Sequence, residues 1–394
     1  VLPIVQEAAK SGIRRVVVPG ENAMEAAVIP GITVWGVNCL NDLLAALNHP
    51  ELENEKVYQP RIRAEDLLRE GTGQDTGDFR EVAGQENAKR GAEIAAAGFH
   101  NLLMIGPPGV GKSMVAGRIP GILPPLTLKE SLEVTGIFSV AGLLPPGQAL
   151  ITRRPFYAPH HTVTQAALIG GGSGIPRPGM VSLAHRGVLF LDELPEFRKN
   201  VLDGMRQPME ERKVQIARSA GMVTYPSDFI LVAAMNPCPC GYYPDRNKCR
   251  CTQPQIEKYL GKISGPILDR IDLCVELHPV DILHLQKTKT EKSSEDMKRQ
   301  IRHARERQAE RFAGTDCRFN GDIRSAQVEE YCPLGEEGQK VMEQLYRTLQ
   351  LSARVYHRIL KTARTIADLE DREEITGEHL LEAACYRPSE TYWN

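Results

Sequence analysis

The sequence predicts an α/β protein: a parallel sheet with helices on both faces, followed by an all-helical region. Three observations carry that expectation. Leu102-Leu103-Met104-Ile105 is a short apolar run leading into a glycine-rich stretch, after which Met114 to Arg118 can begin a helix. Gly187-Val188-Leu189-Phe190-Leu191 is a second apolar run, closed by Asp192 and Glu193. A buried parallel strand reads this way, with polar residues at its C-terminal end. The last hundred residues, by contrast, offer one helix candidate after another.

The glycine-rich stretch, Gly106-Pro107-Pro108-Gly109-Val110-Gly111-Lys112-Ser113, fits the pattern G-x-x-x-x-G-K-[ST]. A strand, such a loop and a helix N-terminus form an anion site, because backbone N–H groups point at phosphate oxygens and the helix dipole adds positive potential. These eight residues would cradle ATP. Lys112 would reach the β/γ-phosphates and the Ser113 hydroxyl would hold Mg²⁺. Asp192 would hold the same Mg²⁺, mostly through water, and Glu193 would polarise the attacking water. Ligands of open α/β sheets bind at that end of the strands.

The chain opens with Val1-Leu2-Pro3-Ile4, which reads as a strand, and with Val rather than Met, so it is expected to be a fragment lacking an N-terminal part. Helix candidates at Val5–Lys10, Ala23–Ala27 and Leu40–Leu47 alternate with strand candidates at Arg15–Pro19 and Thr33–Val37. This unit, 1–52, is too short to close a core alone. Residues 53–78, ending in Glu70-Gly71-Thr72-Gly73-Gln74-Asp75-Thr76-Gly77-Asp78, read as a linker. A nucleotide-binding domain then spans 79–286, opening with a helix over Glu86–Ala97. From Lys112 to Asp192 is a span of 80 residues, long for one connection between adjacent strands, so an insertion is expected there. It holds Phe156 to Thr162 and the cluster Gly170-Gly171-Gly172-Ser173-Gly174, which reads as a flexible loop.

Arg198–Met209 suggests a helix. Lys213–Arg218 and Met222–Tyr225, turned at Ser219-Ala220-Gly221, suggest a β-hairpin. Lys213 and Arg218 beside the turn fit either a solvated hairpin or a loop touching a polymer in a channel. Phe229–Met235 is another buried strand. It ends in Asn236, whose amide can orient a water near a γ-phosphate or cap the turn before Pro237. Cys238, Cys240, Cys249 and Cys251 form two C-x-C pairs separated by eight residues. Four thiolates so spaced can close a tetrahedron around Zn²⁺, although C-x-C is tighter than the common C-x₂-C; free cysteines or disulfides are the alternatives. Arg270 lies between Asp269 and Asp272, open to a local ion pair or to service as an arginine finger. Lys287 to Asp296 has no apolar residue and reads as a linker or solvated loop. Helix candidates follow at Met297–Phe312, Ser325–Cys332, Glu336–Leu349, Ala353–Asp368 and Thr376–Tyr386, so 287–394 reads as a helical domain.

The chain has 394 residues, 25% charged and 42% hydrophobic, with a formal net charge of −2. Any nucleic-acid contact must therefore come from a local patch. No apolar run approaches membrane-spanning length and no segment reads as a signal peptide. Nine cysteines, four of them clustered, fit a cytoplasmic protein with a metal site better than a disulfide framework.

Taken together, GPPGVGKS, GVLFLDE, the strand ending in Asn236 and Asp269-Arg270-Ile271-Asp272 resemble the AAA+ ATPases. RPFYAPHHT (Arg154 to Thr162), AAMNPCPCG (Ala233 to Gly241) and LSARVYHRILKTARTIADLE (Leu351 to Glu370) place the resemblance in the magnesium-chelatase-like group, on its ComM/YifB branch. The resemblance implies an AAA+ P-loop core with a helix-2 insert, a pre-sensor hairpin and a C-terminal helical lid. It implies Asn236 as sensor 1, Arg270 as the finger and Arg354 as sensor 2, with Arg358 one turn along as the competing candidate. It further implies a homo-oligomeric ring, a hexamer, that hydrolyses ATP and remodels or translocates DNA. The alternative is a chelatase-like subunit that remodels a protein. Residues 1–52 resemble the end of a Lon-protease-like domain. Its catalytic Lys is matched only by Lys10, out of register, so no protease activity is expected.

Overall fold

The apolar runs before the phosphate loop and before Asp192 become strands of one sheet. The computed structural model describes residues 1–70, 77–145, 147–172, 176–218, 221–280 and 292–387. The sheet is formed by β3 (Leu102–Ile105), β4 (Phe156–Tyr157), β7 (Val188–Leu191), β10 (Ile230–Met235) and β11 (Leu273–Glu276). Their order is β11-β3-β10-β7-β4 and every pairing is parallel. All residues of β3, β7 and β10 are buried, as the unbroken apolar runs require. Ile105 lies opposite Met235, and Leu191 opposite Ala233, so the phosphate loop, Asp192 and Asn236 emerge on one edge.

This order corrects one expectation. The strands flanking the 80-residue span are not adjacent: β10 lies between β3 and β7, and the span also supplies β4. Helix Leu128–Ala141 occupies part of it. The remainder, between β4 and β7, holds the short helix Gln165–Ile169 and a small antiparallel pair, β5 (Gly170–Gly171) with β6 (Arg177–Pro178). Gly170 and Gly171 are thus paired rather than loop, while Ser173 and Gly174 lie outside the described residues. Gly170 has φ +118°, and a Cβ there would meet Ile216 Cδ1 at 2.7 Å. The expected hairpin is β8 (Lys213–Arg218) with β9 (Gly221–Pro226), and it buries Val214, Ile216 and Tyr225 against the sheet's second face. The helix expected over Arg198–Met209 is two, Lys199–Gly204 and Arg206–Glu211, parted at Met205.

At the N-terminus, Leu2–Lys10 is a helix, not a strand followed by a helix. Pro3 is tolerated in a first turn, where its missing N–H has no intrahelical partner, and Leu2 and Val5 share the buried face. The parallel strands β1 (Arg15–Pro19) and β2 (Thr33–Val37) form their own small sheet. Its core is completed by Leu128, Leu132, Ala149 and Leu150 of the unit that carries the five-stranded sheet. Residues 53–70 of the expected linker carry helices Glu53–Lys56 and Ala64–Glu70, with Val57 and Ala64 buried. Residues 71–76 of that stretch, and 287–291 of the second expected linker, lie outside the described residues.

The C-terminal region is helical: Ser294–Arg311, Val328–Tyr331, Glu336–Thr348, Ala353–Leu369 and Gly377–Cys385. Met297, Ile301, Ala304, Ile359, Ala363 and Ile366 share one core with Ala92, Leu102, Ile119 and Val232, so these helices close the first face of the sheet. A buried carboxylate adds a polar tie. Asp228, just ahead of β10, pairs with Arg186 at 2.8 Å, with Arg212 at 3.3 Å and with Arg318 of the helical region. Breaking a buried pair leaves uncompensated charge. Asp228→Ala is expected to cost about 3 kcal/mol, read as a lower thermal unfolding midpoint, with Asp228→Asn intermediate.

Candidate active site

The phosphate loop owes its shape to backbone that side-chain-bearing residues rarely adopt. Gly109 and Gly111 have φ +80° and +96° with open space around them, so conformation rather than room selects glycine. At Gly106 the constraint is space: a Cβ would lie 2.6 Å from the Leu277 carbonyl oxygen. Lys112 and Ser113 open helix Lys112–Ile122. The buried Lys112 Nζ donates to Gly106 O at 2.6 Å, Pro107 O at 2.9 Å and Asn236 Oδ1 at 3.0 Å. Burial lowers its pKa, opposed by the nearby Asp192 and Glu193 carboxylates. Gln85 braces the loop from outside: its Nε2 donates to Val110 O at 3.2 Å and His278 O at 2.6 Å.

Ser113 Oγ donates to Asp192 Oδ2 at 2.8 Å, so the two candidate magnesium ligands already touch. Asp192 Oδ1 accepts the Glu193 amide at 2.9 Å. Glu193 itself sits at φ +52°, an unusual conformation for a residue with a side chain. Its Oε2 lies 3.0 Å from His161 Nδ1, and the His160 ring packs against His161 at 4.1 Å. The set can bind a phosphate chain and a hard divalent cation and can present a carboxylate to water beside them. Ser113 Oγ and Asp192 supply the oxygen donors such a cation takes.

Two expected site residues lie elsewhere. Arg270 pairs with Glu210, and Arg354 pairs with Asp269. Among the described residues neither makes a hydrogen bond or ion pair with the phosphate loop, Asp192, Glu193 or Asn236. Arg354 is 73% exposed, whereas Arg358 is buried, with Nη2 3.5 Å from Asp269 O. Arg270 lines a cavity of about 1160 Å³ together with Arg212, Lys213, Arg318 and Arg324, and no phosphate-loop residue lines it.

The four clustered cysteines converge. Sγ–Sγ separations are 3.3 Å for Cys238–Cys240, 3.8 Å for Cys238–Cys249 and 3.6 Å for Cys240–Cys249, and with Cys251 all four lie within 4.8 Å. Four thiolates at Zn–S ≈ 2.3 Å stand about 3.8 Å apart at the corners of a tetrahedron, so the donor set fits such an ion. All four are free of disulfides. Against burial, the Tyr242 amide and Cys238 hold Cys240 down to about 6, while burial pushes Cys251 up to about 12.

Comparison with known proteins decides the family. The family described as magnesium chelatase, subunit ChlI, matches residues 78–285, and its C-terminal counterpart matches residues 291–387. The chain belongs to the magnesium chelatase subunit ChlI family. The Escherichia coli protein YifB, described as uncharacterized, is 43% identical over 97% of this chain and 72% of its own length. Competence protein ComM of Haemophilus influenzae is 40% identical over 98% and 74%. Weaker matches join Bacillus subtilis Lon protease 2, 26% identical over 52% of the chain, and a magnesium-chelatase 67 kDa subunit of Chlorobaculum parvum, 25% over 56%. The Lon match covers 237 residues, far more than the N-terminal unit, so it does not speak to that unit alone.

In this ChlI-family chain, motif reading missed His161, Gln85, Glu210 and Asp269. RPFYAPHHT had marked the stretch around His161 without assigning a role, and Asp269 was marked only as a neighbour of Arg270, not as the partner of Arg354; nothing local marks Gln85 or Glu210. His161 touches the Glu193 carboxylate and not the phosphate loop. His161→Ala is expected to leave nucleotide affinity near the parent's while lowering turnover on the order of 10²-fold, the scale of a misplaced reacting group. A binding titration beside steady-state ATP hydrolysis checks this, and His161→Asn should retain part of the rate.

Proposed function

We propose that this chain is the ATP-hydrolysing unit of a ring-shaped motor that remodels DNA. The observation that carries the reading is the meeting of Lys112, Ser113, Asp192 and Asn236 at the C-terminal edge of a parallel sheet, with Glu193 beside them. In this proposal Lys112 and the loop amides hold the phosphates, Ser113 and Asp192 hold Mg²⁺, Asn236 orients water and Glu193 accepts its proton. DNA as the substrate is supported by the 40% identity to a competence protein over nearly the whole chain and by the hairpin carrying Lys213. A second reading, remodelling of a protein partner, is favoured by the ChlI family match itself. ATP hydrolysis measured with and without forked, four-way and single-stranded DNA separates the two: stimulation by DNA supports the first, indifference to every form the second.

The convergent set holds one cation, Lys112, whereas Arg270 and Arg354 engage acids elsewhere. On the family resemblance, Arg270 is assigned to the neighbouring subunit's γ-phosphate and Arg354 to the lid's sensor, in a homo-hexamer. Zn²⁺ is assigned to Cys238, Cys240, Cys249 and Cys251, and elemental analysis should find about one per chain.

Lys112→Ala is expected to abolish nucleotide binding, and Glu193→Gln to bind ATP without turning it over; near-normal hydrolysis by the latter would remove Glu193 from the role of base. Arg270→Ala should bind ATP and lose about 10³-fold or more in rate, as removal of such a finger does. Mixing Arg270→Ala with Lys112→Ala should restore some hydrolysis, since a mixed ring contains interfaces where an intact Lys112 faces an intact Arg270. No rescue while subunits demonstrably exchange would rule out action between subunits.

A further inference from the structure

The cysteine element does not stand apart from the nucleotide site. β10 ends at Met235, Asn236 follows, and the buried Cys238 comes two residues later. The Asn236 amide holds the Lys112 ammonium at 3.0 Å. The chain then turns, with the Gly241 amide donating to Cys238 O at 3.0 Å, and Gly241 takes φ +86°. A Cβ at Gly241 would lie 2.5 Å from Cδ and 2.9 Å from Cγ of Pro108, so this backbone rests directly on the phosphate loop. The Tyr243 amide donates to Cys238 Sγ at 3.4 Å, the kind of outer contact that orients a thiolate ligand. On the return, Cys251 is followed by Thr252, whose amide donates to Gln255 Oε1 at 2.9 Å and caps helix Gln253–Leu260. That helix carries Tyr259, buried beside the Asn236 backbone.

From Cys238 to Cys251 the backbone is turns and bends, with no helix or strand to hold its course. Nothing in a regular hydrogen-bond ladder fixes where Gly241 presses. Four sulfurs within 4.8 Å repel one another once ionised, and a bound divalent cation turns that repulsion into a single closed knot. The segment's position then depends on the ion, and with it two contacts of the phosphate loop.

We propose that a thiophilic divalent cation on Cys238, Cys240, Cys249 and Cys251 braces the nucleotide site, so that metal occupancy sets nucleotide affinity through Gly241–Pro108 and Asn236–Lys112. The proposal rests on the metal and nucleotide assignments made above. Coupling between two sites is reciprocal: the factor by which metal strengthens nucleotide binding equals the factor by which nucleotide strengthens metal binding.

The test uses the full chain and a fluorescent, non-hydrolysable ATP analogue. Cobalt loading reports thiolate coordination through its charge-transfer absorption, and zinc loading is quantified by elemental analysis. Stripping the metal should weaken analogue binding about tenfold, within the usual range of coupling between sites. The analogue should protect the metal from a competing chelator by the same factor. Gly241→Ala provides a second arm that does not depend on the local folding of the stripped protein or of a Cys251→Ser variant. It keeps all four thiols but drives a methyl into Pro108, so it should bind cobalt with an unaltered spectrum and still bind the analogue several-fold more weakly. Metal bound stoichiometrically, with analogue affinity unchanged by stripping and by Gly241→Ala, overturns the brace while leaving the metal site standing. Absence of thiolate-bound cobalt overturns it through the metal assignment. Failure of the metal-loaded chain to bind the analogue at all overturns it through the nucleotide assignment.

Discussion

A buried ammonium is the constraint on which the site's architecture depends. Removing a Lys charge from water costs several kcal/mol unless its donors are met. Lys112 has three N–H groups and three acceptors: Gly106 O, Pro107 O and Asn236 Oδ1. The first two follow β3 and the third follows β10. They can meet only if these strands are neighbours in a register that levels Ile105 with Met235, which is the pairing observed. β7 lies on the far side of β10, and from there Asp192 reaches Ser113 at 2.8 Å. Strand order and the placement of the polar groups are thus one requirement, satisfied together.

At the opposite edge of the sheet one amide bridges three segments. Asn101, just before β3, accepts the Leu231 N–H at 2.9 Å and donates from Nδ2 to Arg270 O at 2.8 Å, while its own N–H goes to Asp272 Oδ2 at 3.0 Å. Asp272 is held well below the usual carboxylate range despite burial, chiefly by His100, with Lys361 and Arg358 assisting. His100 also meets Thr365 at 2.8 Å, in helix Ala353–Leu369. The position of Arg270 is therefore tied to the core strands and, through His100, to the helical region. A carboxylate whose pKa is depressed on folding contributes stability above its unfolded value and loses it as pH falls through the folded one. Asp272 and Glu133, the latter held near 2 by His185 and Arg186, thus make this edge sensitive to acid below about pH 4.

Much of this was legible because strands buried on both faces leave unbroken apolar runs. Leu102–Ile105, Val188–Leu191 and Ile230–Met235 could be placed to within a residue or so, and the residues just beyond them, Gly106, Asp192 and Asn236, fall at the candidate site. Errors arose where local signals have two meanings. Val1-Leu2-Pro3-Ile4 is as apolar as a strand, but Pro3 suits a helix's first turn. Gly170-Gly171-Gly172 has a loop's composition, yet Gly170 and Gly171 pair as β5, and the hairpin side chain Ile216 stands where a Cβ on Gly170 would lie. The contacts of His161, Gln85 and Asp269 could not be read at all. Each joins residues far apart in sequence, and no spacing rule encodes a meeting created by the sheet.

The arginines outside the site are held in a way that suits exchange of partners. Arg270–Glu210 and Arg354–Asp269 are surface pairs, with side-chain exposures of 33% and 48% in the first and 73% and 37% in the second. Pairs so exposed contribute roughly 0–1 kcal/mol, because water screens the attraction and holding two long side chains costs entropy. For either guanidinium to serve a phosphate, that small sum is all that has to be given up, whereas a multiply charged phosphate offers bidentate, charge-assisted hydrogen bonds. Arg186–Asp228 differs, since both partners are largely buried and Asp228 holds two further guanidiniums. Separating it would strand charge inside the protein. The distribution of burial thus divides these cations into a fixed set that joins the hairpin and helical region to the sheet, and a set whose exposed ion pairs hold it only weakly.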